Sequence, residues 1–517
     1  MRSRRNRLRS LIAAGCVLAA AGAAAQQAPI TPPASPGLVP EYTPPTPAAP
    51  PPRTFVLREL RFGESTLLDQ PELDEVAKRY LGRTVAIRDL QALVAEVNEL
   101  YRRKGQVTAR AILPPQKIEN GIVRIDLVEG RLGQVALSGN AYTKSDYILS
   151  RLPLTPGAVI DGARLERDLA WFNRTNDMTL EAAMKPGAAF GQSDLGLKVS
   201  EPPRYSVRLF ADNAGIPSTG RAEAGFAFQG NGFLGRGDSL NAYYAHSDGA
   251  DNGSATYRIP VTRRGGALAL GFAENTTAIN VGPFSPLDLT ARSRTLFLSY
   301  TQPWVADEKW LVTTPVTLWR TMSRTMISGV KLSDFDVHKL SAGVSLDVRD
   351  PGYRVALLQN AAWLNSTNDT VGTDQDRVVF NGTGAALVRG RGDYYAALRG
   401  GWQYSPQTDL PPSELFSIGG RNTVRGYTTA FVAGKDGYYY GVEAHRLIAN
   451  TANVFLFYDE GLVKTSNFPH TRLRGAGPGV VFTYKKVTLD FSAGYALDKV
   501  QPEQSQWVFD ARAEIAF

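Results

Sequence analysis

From about Tyr205 to Phe517 the chain runs in segments of about ten residues whose polarity alternates with period two, joined by stretches rich in Gly, Asn, Asp and Ser. Helical periodicity is lost over this whole region. Val487, Leu489, Phe491, Ala493, Tyr495 and Leu497 share one face against Thr488, Asp490, Ser492, Gly494, Ala496 and Asp498. Tyr394, Ala396, Leu398, Gly400, Trp402 and Tyr404 repeat the pattern, and Trp507, Phe509, Ala511, Ala513, Ile515 and Phe517 oppose Val508, Asp510, Arg512, Glu514 and Ala516. An apolar face edged with aromatics, backed by a face carrying charge, suits a strand lying between lipid and a wet lumen. A soluble antiparallel sandwich also alternates, but about sixteen such segments behind an export signal fit a membrane β-barrel better. No run approaches the roughly 18 to 20 uninterrupted apolar residues of a transmembrane helix, so a helical membrane protein is excluded.

The export signal is the opening stretch, residues 1–25. Arg2, Arg4, Arg5, Arg7 and Arg9 form a basic n-region, an apolar run follows from Leu11, and Ala23-Ala24-Ala25 offers a small-residue cleavage site. A lipoprotein signal using Cys16 is the competing reading; it lacks the usual leucine and leaves a very short apolar run. Removing these five arginines lowers the formal charge from +8 to +3, so the basic balance belongs mostly to the leader. No basic stripe remains for nucleic acid. The one cysteine, Cys16, leaves with the leader, so the mature chain is expected to hold no disulfide and no thiolate metal site.

Residues 26–54 are rich in Pro, Ala and Thr and read as an extended linker, with a proline-dependent binding motif as the alternative. A compact α/β region follows over 55–131. Phe55–Phe62 alternates as a strand, Pro71–Leu81 and Arg88–Arg103 as helices, the second with Leu90, Leu93, Val94, Val97, Leu100 and Tyr101 on one face. Val107–Leu113 and Ile122–Val128 then read as a hairpin. Residues 132–203 repeat this order, with strands at Gln134–Ser138, Thr179–Lys185 and Asp194–Ser200 and helices at Ser145–Leu152 and Asp161–Asn173.

This repeated order resembles the polypeptide-transport-associated (POTRA) domain, and Val107–Gly130 resembles its variant in two-partner secretion outer-membrane transporters, the haemolysin and filamentous-haemagglutinin secretion family. There a Pro-x-Gln-x-Ile-x-x-Gly turn joins the last two strands. The matching residues are Pro114, Gln116, Ile118 and Gly121, within Pro114-Pro115-Gln116-Lys117-Ile118-Glu119-Asn120-Gly121. A proline fixes the loop geometry and Gly121 permits positive φ before the next strand; taken alone, a turn with no partner explains these residues equally well.

A turn-rich insertion over 406–436 interrupts the alternation and is too long for an ordinary hairpin loop. Its core, Ser417–Tyr427 (SIGGRNTVRGY), resembles the inward-folded loop of polypeptide-transporting barrels, whose tip is Val-Arg-Gly-Tyr: here Val424, Arg425, Gly426 and Tyr427. The resemblance implies an acidic partner on the inner wall within an aromatic-x-Asp-x-Gly pattern, which falls on Asp459 and Gly461. An arginine inside a barrel must meet carboxylates and hydrogen bonds or bear a cost of several kcal/mol. Asp212-Asn213-Ala214-Gly215 with Thr219-Gly220, and Gly235–Leu240, fall at early hairpins as in the family. Phe517, closing an aromatic-rich strand, resembles the insertion signal read by the barrel-assembly machinery. Some members begin with a plugging helix; the proline-rich start here gives no reason to assign one.

Signals for catalysis are poor. Gly230–Gly235 matches GxGxxG, but a strand follows where a nucleotide site needs a helix. His246, His338, His445 and His470 show no ligand spacing, and no nucleophile elbow or HExxH occurs. Glu443 and His445 share a strand face that is expected to line the lumen, and Asp374 and Asp376 read as a solvated turn better than as a calcium site. The fold expected is therefore a membrane β-barrel of about sixteen antiparallel strands over 204–517, behind two small α+β POTRA domains, in the outer membrane of a Gram-negative cell. The resemblance implies passage of an unfolded exoprotein through the pore without nucleotide, cofactor or metal; partners would be that exoprotein, the assembly machinery and outer-membrane lipids. An insertase of the same superfamily and a passive porin or receptor are the alternatives.

Overall fold

The computed structural model describes residues 54–106, 108–448, 451–465 and 468–517; the leader, nearly all of the proline-rich segment, the question of a plugging helix, and Val107 lie outside them. The first α/β unit comprises β1 (Phe55–Val56), β2 (Glu59–Phe62), α1 (Gln70–Lys78), β3 (Thr84–Val85), α2 (Ile87–Arg103), β4 (Arg110–Ile112) and β5 (Ile122–Val128). The single strand expected over Phe55–Phe62 is split: β1 pairs with β3, while β2 runs parallel to β5. The cause lies at Leu57, which is fully buried and donates its N–H to the Arg83 carbonyl, so the chain leaves one sheet before joining the next. Leu90, Leu93, Val97 and Tyr101 turn the apolar stripe of α2 into the core with Leu73, Val123 and Ile125.

The second unit comprises β6 (Arg131–Ser138), α3 (Ser145–Leu149), α4 (Gly162–Thr175), β7 (Thr179–Pro186) and β8 (Gln192–Ser200). Its sheet order β6-β8-β7 has the directions of β2-β5-β4, one parallel and one antiparallel pairing, so the sequence repeat is also a repeat of topology. Gln106 joins the units: its amide donates to Asp161 at 2.9 Å and accepts from the Gly162 N–H at 3.0 Å.

The remaining strands begin with β9 (Tyr205–Asp212), β10 (Glu223–Asn231), β11 (Ser239–Ser247), β12 (Ala250–Pro260), β13 (Ala267–Ala278) and β14 (Leu289–Ala306). Next come β15 (Trp310–Ile327), β16 (Val330–Arg349), β17 (Tyr353–Asn368), β18 (Thr373–Arg389) and β19 (Tyr394–Tyr404). A small hairpin, β20 (Phe416–Ile418) with β21 (Val432–Gly434), stands outside the wall. The wall resumes with β22 (Asp436–Ile448), β23 (Ala452–Thr465), β24 (Phe468–Tyr484), β25 (Val487–Ala496) and β26 (Trp507–Ala516). Sixteen strands, all but β20 and β21 of those from β9 onward, close into one antiparallel barrel. Closure leaves no free edge, which is what a strand crossing lipid requires.

The alternation read in the sequence sets the faces. Leu398, Trp402, Tyr404, Phe491, Trp507 and Phe509 are exposed on the outside, as a lipid-facing band demands. The seam between β9 and β26 is short: five residue pairs, Arg512–Ala516 with Arg208–Asp212, against nine between β25 and β26.

One mouth of the barrel is docked by the second α/β unit. The Lys144 N–H donates to the Gly235 carbonyl (3.0 Å), Arg151 to that of Thr262 (3.0 Å) and the Trp171 indole to that of Arg264 (3.2 Å). Gly230–Gly235 spans the end of β10 and the start of the turn into β11, and a side chain at Gly232 would run into the Tyr142 ring. The glycine pattern there serves docking of the unit.

Candidate functional site inside the barrel

The insertion between β19 and β22 folds back against the inner wall. Its contacts reach strand positions of the parity opposite to the outward apolar residues: Lys339 on β16 holds Glu414 at 2.9 Å, Arg377 on β18 holds Asp409 at 2.8 Å, and Arg421 of the loop pairs with Asp490 on β25. The β20–β21 hairpin stiffens its stem.

At the tip, Arg425 is 5% exposed and meets two carboxylates. Its Nε donates to Asp459 Oδ2 at 2.7 Å, its Nη2 to Oδ1 at 2.9 Å, and its own backbone N–H to Oδ2 at 3.1 Å. The Arg425 Nη2 also lies 2.7 Å from Glu443 on β22. Asp459, on β23, is wholly buried and accepts in addition from Arg399 of β19 at 3.2 Å. Two guanidiniums thus face two carboxylates, and the Arg425 plane stacks 3.6 Å from the Phe457 ring centroid. Glu443 is fixed from behind by His445 Nε2 at 2.8 Å, whose ring stacks on Tyr395 at 4.3 Å between centroids.

The other tip residues explain why the chain can approach so closely. Gly426 has φ 92°, a left-handed conformation that favours glycine, and its backbone lies on Gly494. A side chain at Gly475 or Gly494 would collide with the backbone of Arg425 or Gly426. Gly461 leaves room for Ile418 and Val424, both fully buried in a small apolar cluster with Tyr427, Val463 and Leu473. The Tyr427 hydroxyl sits 3.0 Å from the Arg474 carbonyl and 2.9 Å from that of Asp498, tying the tip to β24 and the end of β25.

Sequence reasoning placed Val424, Arg425, Gly426, Tyr427, Asp459 and Gly461, and the structure brings all six together. It assigned Glu443 to the lumen wall without its link to Arg425, and it missed Arg399 and the glycines at 475 and 494. The available signal was the donor count of arginine, which a single carboxylate does not exhaust. Elsewhere, Gln116 clamps the turn of the first unit: its carbonyl accepts the Arg124 N–H at 2.8 Å and its amide donates to the Arg124 carbonyl at 2.7 Å. Ile118 packs on that unit's core, Gly121 has φ 75°, and Pro114 accepts weakly from Gln116 at 3.4 Å, so these residues build a self-contained turn. The Phe517 N–H donates to the Val207 carbonyl across the seam and its ring is exposed. Asp374 and Asp376 share the Asn365 amide, and no cluster of metal-ligating side chains occurs among the described residues.

A closed sixteen-stranded barrel with an apolar exterior, α/β units at one mouth and a loop pinned in its lumen defines a class: an outer-membrane β-barrel of a Gram-negative cell, with the units on the periplasmic side. The chain belongs to the family described as haemolysin secretion/activation protein ShlB/FhaC/HecB, whose model matches residues 191–482, and residues 55–130 match the POTRA domain, ShlB-type. It is 30% identical over 171 residues to the heme/hemopexin transporter protein HuxB of Haemophilus influenzae, covering 33% of this chain and 30% of that one. It is 25% identical over 421 residues to the outer membrane transporter CdiB of Dickeya dadantii, covering 75% of this chain and 71% of that protein. The chain thus matches less than a third of the length of HuxB, 30%, and most of that of CdiB, 71%. The solved structure of CdiB from Escherichia coli shares the fold, with a TM-score of 0.69 at 20% identity over 92% of this chain and 93% of that one.

Proposed function

We propose that this chain translocates an unfolded exoprotein from the periplasm to the cell surface or medium, as the outer-membrane member of a two-partner secretion pair. The observation that carries the reading is the loop tip: Arg425, held by Asp459 and Glu443, keeps a polypeptide segment inside the pore through side-chain contacts to the wall. Such a loop acts as a gate and performs no chemistry. On this reading residues 1–25 are a signal peptide, 26–54 a linker, 55–131 and 132–203 two POTRA domains, and 204–517 the pore. The paired units receive the unfolded chain at their strand edges, where backbone pairing tolerates varied side chains. Energy comes from folding of the cargo outside, without nucleotide hydrolysis, and the last strand with the exposed Phe517 ring at its end engages the assembly machinery during insertion into outer-membrane lipid.

The short β9–β26 seam favours a second reading, an insertase that opens sideways. Deleting the chain and profiling both culture supernatant and outer membrane separates the two. Loss of one large secreted protein is expected; general depletion of outer-membrane barrels would contradict secretion and favour insertion.

A further inference from the structure

At the periplasmic mouth, three arginines converge on one carboxylate. Asp347, near the end of β16, shares the inward parity of Lys339 and is 16% exposed in its side chain. Arg349 Nε lies 2.8 Å from its Oδ1 and Arg354 Nη2 2.8 Å from its Oδ2, both around the turn joining β16 to β17. The third guanidinium arrives from outside the barrel: Arg174, near the end of α4, donates from Nη2 to the Asp347 carbonyl and to Oδ1, each at 2.9 Å.

Three positive charges on one carboxylate leave an excess of two at the entrance. The Arg174 contact is also incomplete. Its side chain is 6% exposed, and its Nε and Nη1 are buried without a hydrogen-bond partner. A buried guanidinium donor left unpaired is costly, so this contact holds α4 less firmly than a fully paired one would. Arg349 and Arg354 are about half exposed, at 50% and 45%, and within reach of a chain entering the lumen.

We propose that Arg174, Arg349 and Arg354 form an anion-accepting site at the pore entrance that takes the carboxylates of an acidic segment of the entering chain, with Asp347 as the resting occupant. The inference rests on the transport reading and names what the entrance recognises. An incoming Asp or Glu side chain supplies acceptors for the donors that Asp347 cannot satisfy, and its arrival loosens α4 from the barrel mouth.

The test uses the full chain in phosphatidylcholine nanodiscs, with a neutral-dye-labelled oligoglutamate peptide and its oligoglutamine counterpart followed by fluorescence anisotropy. Oligoglutamate should bind in a salt-sensitive way and oligoglutamine should not. Arg354→Gln should weaken binding by about tenfold, Arg354→Lys should retain most of it, and Asp347→Asn should strengthen it by a similar factor. Heat-modifiable migration on gels confirms that each variant is folded. Equal binding of both peptides, or unchanged affinity in folded Arg354→Gln and Asp347→Asn, overturns the site. Secretion is scored separately: export that persists without oligoglutamate binding overturns this proposal and leaves transport standing, whereas oligoglutamate binding by a chain whose deletion changes no secreted protein overturns transport.

Discussion

Replacing Arg425 by alanine leaves Asp459 and Glu443 facing each other across the space of a lost guanidinium, with Arg399 as the remaining cation on Asp459. Removing one member of a buried ionic group costs about 3–5 kcal/mol locally, a cost that here falls on the seating of the loop. Arg425→Ala should reduce secretion at least severalfold while heat-modifiable migration, which reports barrel closure, stays intact. Arg425→Lys should behave almost as badly, because an ammonium cannot span both carboxylates as a fork does. In the first α/β unit, Glu129 accepts from Ser65 at 2.6 Å and from the Thr66 and Leu67 backbone at 3.0 and 3.1 Å. Burial pushes its carboxyl up, yet those hydrogen bonds outweigh it and hold the group below the usual carboxylate range. A depressed native pKa means stability that is present above the unfolded value and lost as pH falls through the folded one. Hydrogen exchange over residues 55–130 of the full chain should therefore show protection falling on acidification, and Glu129→Gln should lower protection at neutral pH and flatten that dependence.

At the scale of elements, the seating of the loop depends on how thin the wall is where the loop rests. Gly475 and Gly494 lie under the backbone of Arg425 and Gly426, so Gly494→Val should lift the tip without touching any charge. Planar-bilayer recordings should then show higher resting conductance than wild type; an unchanged trace would mean that the loop does not occlude the pore. The barrel strands were legible in the sequence because period-two polarity survives wherever one face meets lipid and the other water. The Arg425–Asp459 pair was legible through two short motifs of distinctive composition. The links of Glu443 and Arg399 to that pair, and the inner-wall glycines, were not, because their meeting depends on how β19, β22, β23, β24 and β25 pair side by side, which no local spacing records. The split of Phe55–Phe62 was hidden for a similar reason: alternation reports faces, and the break at Leu57 answers to a partner at Arg83.

For the whole molecule, the short β9–β26 seam poses the question of whether cargo leaves along the axis or sideways. Sideways release needs a free strand edge, and axial passage does not. Ala211 and Ala513 are direct partners across the seam, and the sequence has no cysteine besides Cys16, so a disulfide between Ala211→Cys and Ala513→Cys can lock it. Secretion should be unaffected by oxidation of this pair. The central claim, passage through the lumen, is tested most directly by a photo-crosslinking residue at Thr383, exposed on the inward face of β18, compared with Phe380 on the outward face of the same strand. A secreted partner stalled in transit should crosslink from position 383 and not from 380; crosslinks confined to 380, or none from 383 while secretion proceeds, would contradict it.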